Sequence, residues 1–389
     1  MIKKKLPLGI QTFSEIREDG YHYVDKSERI YELITNTKVV FLSRPRRFGK
    51  SLLCSTLAAL FEGRRDLFKE LAVDSLDWNW DTYPVVRIDL NSGAYRRLDD
   101  FITTANTSLE FCARKYEVPF TGDNISDKLR RLIMALNGKF NKKVVVIIDE
   151  YDKPLLSTLE DTALHEIIRG ELKGFYGVLK SQDEHLKFVF LTGVTKFSKV
   201  SIFSDLNNLS DISLDPRYAD ICGITQEELE SEFAEEIKST IKLSGKKSDQ
   251  YLSKLKSFYN GYRFSKEPLT VYNPFGLLHH FFNQGEFHPY WFESGSPTFL
   301  IKLIKAQRIN ILDLEAKVLA YDDFRKFDVE NMDAVPVLYQ SGYLTITGYN
   351  EKRSTYNLAY PNDEVRTSFA SSLADVYIPI KRINGKLLK

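Results

Sequence analysis

The sequence predicts an α/β fold: a central, mostly parallel sheet within residues 1–215, then a helical lid (216–290) and a winged-helix-like α+β module (291–376). Two observations carry that reading. Five short runs in the first half are apolar at consecutive positions, which suits strands buried on both faces of a parallel sheet. Helical stretches separate these runs, and strand alternating with helix is the pattern of α/β domains.

In order, the runs are KVVFL (38–42), PVVRIDL (84–90), KKVVVIID (142–149), LKFVFLTG (186–193) and SDISL (210–214). Directly after the first, KSLLCSTLAALFEG sets Leu53, Leu57, Leu60 and Phe61 at helical spacing, an amphipathic helix that Gly63 can end. Beyond 215 strands become rare. ITQEELESEFAEEIKSTIKL reads as one amphipathic helix, with Thr225 and Glu228 forming a capping box at its start. Near the end, AVPVLYQSGYLTITGYN and STYNLAYPNDEVRTSFASSLADVY predict helix, strand pair, turn and helix. No structure is assigned to the tail, 377–389.

Composition narrows the class. A chain of 389 residues exceeds one ordinary core, so two or three domains are expected. A formal net charge of +1 argues against a globally basic nucleic-acid coat. Cys54, Cys112 and Cys222 lie far apart without metal-ligand spacing, which fits free thiols in a reducing compartment. The opening MIKKKLPLGI lacks the apolar run of a signal peptide, and no stretch approaches the roughly 18 apolar residues of a membrane helix. A cytoplasmic protein with no membrane partner is expected.

The chemistry begins at the first strand. In VVFLSRPRRFGKSLL (39–53), Gly49, Lys50 and Ser51 open a helix immediately after a buried run. That is the setting of a phosphate-binding loop (Walker A), in which backbone N–H groups and a helix N-terminus converge on an anion. Lysine adds a mobile positive charge and the hydroxyl ligates Mg²⁺. The usual pattern has glycine where this chain has Arg44. The candidate nucleotide-binding set is Arg44, Arg46, Arg47, Phe48, Gly49, Lys50, Ser51 and Leu52, with the arginine heads turned outward or toward phosphate oxygens. The bland alternative is a basic turn whose side chains are merely solvated.

VVVIIDEYDKP tips that balance. Five β-branched residues, Val144 to Ile148, precede Asp149 and Glu150, the form of a Walker B strand. A carboxylate at the carboxyl end of a central strand faces the edge where such sheets bind ligands. Asp149, with Ser51, is the candidate Mg²⁺ ligand. Glu150, next along and expected to point elsewhere by strand alternation, is the candidate base for an attacking water. Asp152 has no assigned role beyond a salt bridge with Lys153 or an arginine. In FVFLTGVTKFSK (188–199), Thr195 is the first candidate to sense the γ-phosphate or hold the water, ahead of Thr192, Lys196 and Lys199; ordinary loop polarity is the alternative.

Together, YHYVDKSERIYELI (21–34), FLSRPRRFGKSLL (41–53), VVVIIDEYDKPL (144–155), FLTGVTKFSKVSIFSDLNNLSDISLD (190–215), FYNGYRFS (258–265) and VYNPFGLL (271–278) resemble the bacterial AAA-ATPase-like family. Its members are similar to the signal-transduction ATPases of the additional-strand, catalytic-glutamate group of P-loop proteins. The resemblance implies that the arginine-rich loop is a normal form, that the sensor strand lies between the loop strand and the aspartate strand, and that ATP and Mg²⁺ are the cofactors. Relatives commonly continue into a PD-(D/E)xK-type nuclease domain. No such constellation is found here, since ELK (171–173) falls in a helical stretch, so nuclease activity is not expected of this chain.

Other residues are weighed against plain packing. Tyr23 and Asp25 are read as ordering the N-terminal element ahead of wrapping an adenine. Tyr259, Tyr262 and Phe264 suit a core, with Asn260 and Arg263 as lid residues approaching the nucleotide. Arg169 is available as an arginine finger but more simply solvated. The histidines, including His279 and His280, show no metal spacing, and HPYWFESG favours packing over base stacking. Two functions stay open: a P-loop NTPase that hydrolyses ATP to drive conformational change, or a nucleotide-gated module binding DNA or protein through its C-terminal half. A homo-oligomer is compatible with either.

Overall fold

A computed structural model of the chain describes residues 4–196, 202–203, 206, 208–295, 298–309, 311–325 and 333–377. It divides into two compact units, Met1–Cys222 with Asp322–Met332, and Gly223–Tyr321 with Asp333–Lys389. This differs from the three-part division read from the sequence. Residues 216–222 belong with the first unit, and the expected lid and C-terminal module share the second.

The first unit is built on five parallel strands: β1 (Val39–Ser43), β2 (Val85–Asp89), β3 (Val144–Asp149), β4 (Leu186–Gly193) and β5 (Ser210–Asp211), in the order β2-β3-β4-β1-β5. Helices α1 (Phe13–Glu18), α2 (Ser27–Asn36), α3 (Lys50–Phe61), α4 (Leu98–Lys115), α5 (Ile125–Phe140), α6 (Lys153–Ser157) and α7 (Thr162–Ser181) connect and precede them. Strand β3 is buried at every position and β4 at all but one, as continuous β-branched and aromatic runs require. Of the fifth run, SDISL, only Ser210 and Asp211 pair, in parallel with Val40 and Phe41.

Chain order decides where a ligand fits. From β1 the chain crosses to β2 and returns through β3 to β4, which lies beside β1. The reversal leaves a crevice outside the carboxyl ends of the central strands. The register levels those ends: Ser43 lies opposite Gly193, and Ile148 opposite Leu191. The expected placement of the sensor strand β4 between β1 and β3 is therefore observed.

Helix α3 corrects one expectation. Its residues Leu53 to Phe61 are all buried, so it is a core helix rather than an amphipathic surface one. Small residues such as Ser55, Ala58 and Ala59 fill the face expected to be wet, and helix α1 packs there, with the Phe13 N–H donating to Ser55 Oγ (2.9 Å). The Asp25 carboxylate accepts from the Ser27 and Ala72 N–H groups (2.8 and 2.7 Å), and the Tyr23 ring meets Phe13 edge-on. Both residues order the N-terminal element.

The second unit holds α8 (Gln226–Glu232), α9 (Ala234–Ser244), α10 (Ser248–Tyr259), α11 (Pro274–Phe282), α12 (Tyr290–Glu293), α13 (Thr298–Ala306), α14 (Ala334–Gln340) and α15 (Asp363–Tyr377). The capping box at Thr225 and Glu228 forms as expected, with both reciprocal hydrogen bonds present. The long helix read after it is in fact two. Phe233 leaves helical geometry (φ −111°, ψ 23°) and stacks its ring on Phe281, separating α8 from α9. Helix α14, hairpin β7 (Thr345–Asn350) and β8 (Thr355–Ala359), then α15 follow in the expected sequence. A further strand, β6 (Lys317–Ala320), makes the sheet three-stranded in the order β6-β8-β7, antiparallel throughout.

The aromatic residues read as core from the sequence are core: Tyr259, Tyr262 and Phe264 are buried, as are Trp291 and Phe292. Asn260 and Arg263 are buried too, which corrects their reading as lid residues. The Arg263 side chain donates to the carbonyls of Ser265, Lys266 and Thr347, and its N–H donates to Thr345 Oγ1. Asn260 takes an amide bond from Asn362. His280 hydrogen-bonds the Tyr251 hydroxyl and the Glu286 carbonyl, as a packed rather than a metal-binding histidine. Among the described residues no helix is long and apolar enough to cross a membrane.

Candidate functional site

The loop from β1 to α3 turns through two left-handed residues, Arg47 (φ +67°) and Gly49 (φ +93°). A Cβ on Gly49 would meet nothing within 4 Å, so the backbone angle, rather than space, is what calls for glycine there. Alternating handedness of this kind turns successive N–H groups toward one concavity. Behind it, the first N–H groups of α3, around Lys50, Ser51 and Leu52, have no intrahelical acceptor. Phe48 buries its ring and anchors the loop, Arg46 is half-buried, and Arg47 is exposed.

Arg44 does not belong to the nucleotide-facing set. It is 1% exposed, and its guanidinium donates to the carbonyls of Ser43 (2.9 Å), Ser213 (2.9 Å) and Tyr218 (3.0 Å). The residue standing in the first glycine position therefore points into the protein and ties the loop to the segment after β5. Only tertiary structure supplies the acceptors at Ser213 and Tyr218.

The acidic strand tip meets the lysine. Lys50 Nζ lies 3.3 Å from Glu150 Oε1 and 3.4 Å from the Pro45 carbonyl. Burial alone pushes the Lys50 ammonium down, but Glu150, Asp149 and Asp152 outweigh it and the net direction is up, so the lysine stays charged. The Ser51 hydroxyl acts on the Asp149 carboxylate, favouring its charged form, and Asp149 Oδ1 accepts the Glu150 N–H (3.0 Å). Burial and then the neighbouring Glu150 push Asp149 up to about 6, against the pull of Ser51 and Lys50. A cation at this carboxylate would relieve that penalty.

Glu150 corrects the alternation argument. Strand β3 ends at Asp149, and Glu150 takes a left-handed backbone (φ +51°), so its side chain swings to Lys50 instead of the opposite face. Thr195 sits at the tip of β4 with its hydroxyl donated to Asp152 Oδ2 (2.6 Å). Thr192 donates to the Leu42 carbonyl (2.8 Å), and Lys196 pairs with Asp211. Lys199 lies outside the described residues. Arg169 is on the surface of α7, paired with Glu166. Asp152, unassigned from sequence, is fully buried beside the site; burial, then Glu150, raises its pKa. Its sequence neighbour Lys153 gave no hint of this, because its partners are some forty residues away.

The family model for predicted AAA-ATPases (AAA-ATPase-like) matches residues 7–203, which span the loop, the acidic strand and the sensor strand. A protein of Azotobacter chroococcum described as the uncharacterized protein in the vnfD 5′ region is 41% identical over 396 residues, covering all of this chain and 74% of its own length. The chain belongs to the predicted AAA-ATPase family. It is a member with an α/β core and its own small antiparallel sheet. The Aeropyrum pernix ORC2 protein, solved in ADPNP–ADP complexes, aligns over 90% of this chain and 93% of its own at 12% identity. Its TM-score of 0.21 is too low for that likeness to bear on function.

Proposed function

We propose that this predicted AAA-ATPase binds ATP with Mg²⁺ at the β1–α3 loop and hydrolyses it, Glu150 serving as the base that activates water. The observation that carries the reading is the convergence of Lys50, Ser51, Asp149 and Glu150, brought from two distant segments to one sheet edge. Lys50 and the N–H groups of the loop and of α3 would bind the phosphates. The residues present fit a nucleotide-borne Mg²⁺: the buried Asp149 carboxylate and the Ser51 hydroxyl that acts on it. Among the described residues no cluster of three or more His, Cys, Asp or Glu forms an all-protein metal site, so phosphate oxygens and water would complete the shell. When bound, the ion neutralises charge on the phosphates. Asp149 would hold it from the protein side while Glu150, 3.3 Å from the lysine, takes the proton of the attacking water.

Coupling to conformational change is part of the same proposal. Arg44 links the start of the loop to Ser213 and Tyr218, a few residues before the chain leaves the first unit at Cys222. The C-terminal half would carry the response, toward a DNA or protein partner or a second copy.

Glu150→Gln tests the reading. Turnover should fall by about 100-fold or more while ATP remains bound. Lys50→Ala should instead lose nucleotide affinity. Undiminished turnover in the first variant, or wild-type affinity in the second, sinks the proposal. Salt-dependent DNA binding that ignores ATP would favour a passive module instead.

A further inference from the structure

Strand β4 ends between the two halves of the site, and its tip is bonded to both. Toward the loop, Thr192 Oγ1 donates to the Leu42 carbonyl (2.8 Å) and the Arg44 N–H donates to the Gly193 carbonyl (3.2 Å). Toward the acidic turn the bonding is denser. The Tyr151 N–H donates to the Thr192 carbonyl (3.0 Å), and the Tyr151 hydroxyl to the Thr195 carbonyl (2.9 Å). Asp152 Oδ2 alone accepts three bonds, from the N–H of Val194 (3.1 Å), the N–H of Thr195 (2.6 Å) and the hydroxyl of Thr195 (2.6 Å).

Residue choice around this clasp follows from its tightness. A Cβ on Gly193 would collide with Asp152 Oδ1 and crowd the Tyr151 ring, so only glycine lets the carboxylate lie against the strand. Tyr151 is buried against Phe41 and Phe203, so the turn bearing Glu150 is packed from below as it is bonded from the side. Glu150 occupies a left-handed backbone, a conformation that costs a bulky residue energy and persists only where its surroundings enforce it.

We infer that Asp152 is a positioning residue, which clamps the tip of β4 at Val194–Thr195 to the turn carrying Glu150 and so sets the distance between Thr195 and the base. It acts by fixing Thr195 on one side and the Asp149–Asp152 turn on the other. The inference rests on the ATPase reading above. It assigns the acceptor, not the charge, as the working feature, because all three donors converge on one oxygen.

The test is steady-state ATP turnover and binding of a fluorescent ATP analogue by the full chain, with Mg²⁺. The variants are Asp152→Ala, Asp152→Asn, Thr195→Ala and the Asp152→Ala/Thr195→Ala double variant. Displacing a catalytic group by about 1 Å costs on the order of 100-fold, so kcat of Asp152→Ala should fall by about that factor with KM within about threefold. The double variant should be no slower than the slower single, because both remove one linkage. Asp152→Asn keeps an acceptor oxygen and should recover most of kcat. That rescue separates positioning from a purely structural role, and it carries the test if the alanine variant does not fold. Unchanged kcat in a folded Asp152→Ala, losses that multiply in the double variant, or an asparagine variant as slow as alanine each overturn the inference. If the wild type binds the analogue but turns over no ATP, the ATPase reading fails and the inference falls with it. Normal wild-type turnover with any of the other contrary results fails the inference alone.

Discussion

Arg44→Gly would restore the glycine of an ordinary phosphate loop, and it should damage this protein. The wild-type guanidinium makes two bonds to the segment after β5, at Ser213 and Tyr218, and one to Ser43. Hydrogen bonds from a charged donor contribute about 1.5–3 kcal/mol each. Removal would leave the Ser213 carbonyl in a buried setting without its Arg44 donor, and the Tyr218 carbonyl with the Ile221 N–H (3.3 Å) in place of two donors. The expected destabilisation is therefore about 3–5 kcal/mol, a large share of a typical total of roughly 5–15 kcal/mol. Arg44→Lys should recover less than half, because a single ammonium cannot span both carbonyls. Hydrogen exchange of peptides covering residues 208–222, together with urea unfolding of the full chain, measures the effect. A loss below about 1 kcal/mol with unchanged exchange would refute the strut. So would a variant of normal stability that has lost nucleotide affinity, since that is the behaviour of a phosphate ligand.

Two further outcomes concern the second unit. Burial holds His280 down at about 4 from 6.5, assisted by Lys254 and Lys246, so its contribution to stability is intact above pH 6.5 and lost as pH falls toward 4. Burial holds Glu364 up at about 7 from 4.5, with Glu293 adding to it, so its contribution is intact below pH 4.5 and lost as pH rises through 7. Each is worth up to about 3 kcal/mol with opposite sign, so wild-type protection between pH 4.5 and 6.5 should be nearly flat. Glu364 Oε1 accepts from the Trp291 and Phe292 N–H groups, whose exchange reports it; Glu364→Gln should protect them better at pH 8 and lose protection steeply below 6.5. A flat profile in that variant would contradict the opposition. Gly261 has φ +103° and no room for a Cβ beside the Pro361 carbonyl, so Gly261→Ala should lower the melting temperature of this unit sharply. A melt within 1–2 °C of wild type would mean the carbonyl moves at little cost.

The local sequence determined the strands, the loop and the acidic tip. Runs such as VVVIID have no polar face to offer solvent, so they specify buried strands wherever they occur. Gly49-Lys50-Ser51 after one strand and Asp149-Glu150 after another carry their chemistry in residue type and spacing, and Thr225 with Glu228 carries its cap. Tertiary structure decided what Arg44 and Asp152 do, because the partners that give them their roles, Ser213 and Tyr218 for one and Thr195 for the other, lie 43 to 174 residues away. It also turned Glu150 toward Lys50, through a backbone angle that strand alternation does not anticipate. Propensity and periodicity act over a few neighbours, whereas a buried hydrogen bond is chosen by whichever backbone the sheet register brings alongside.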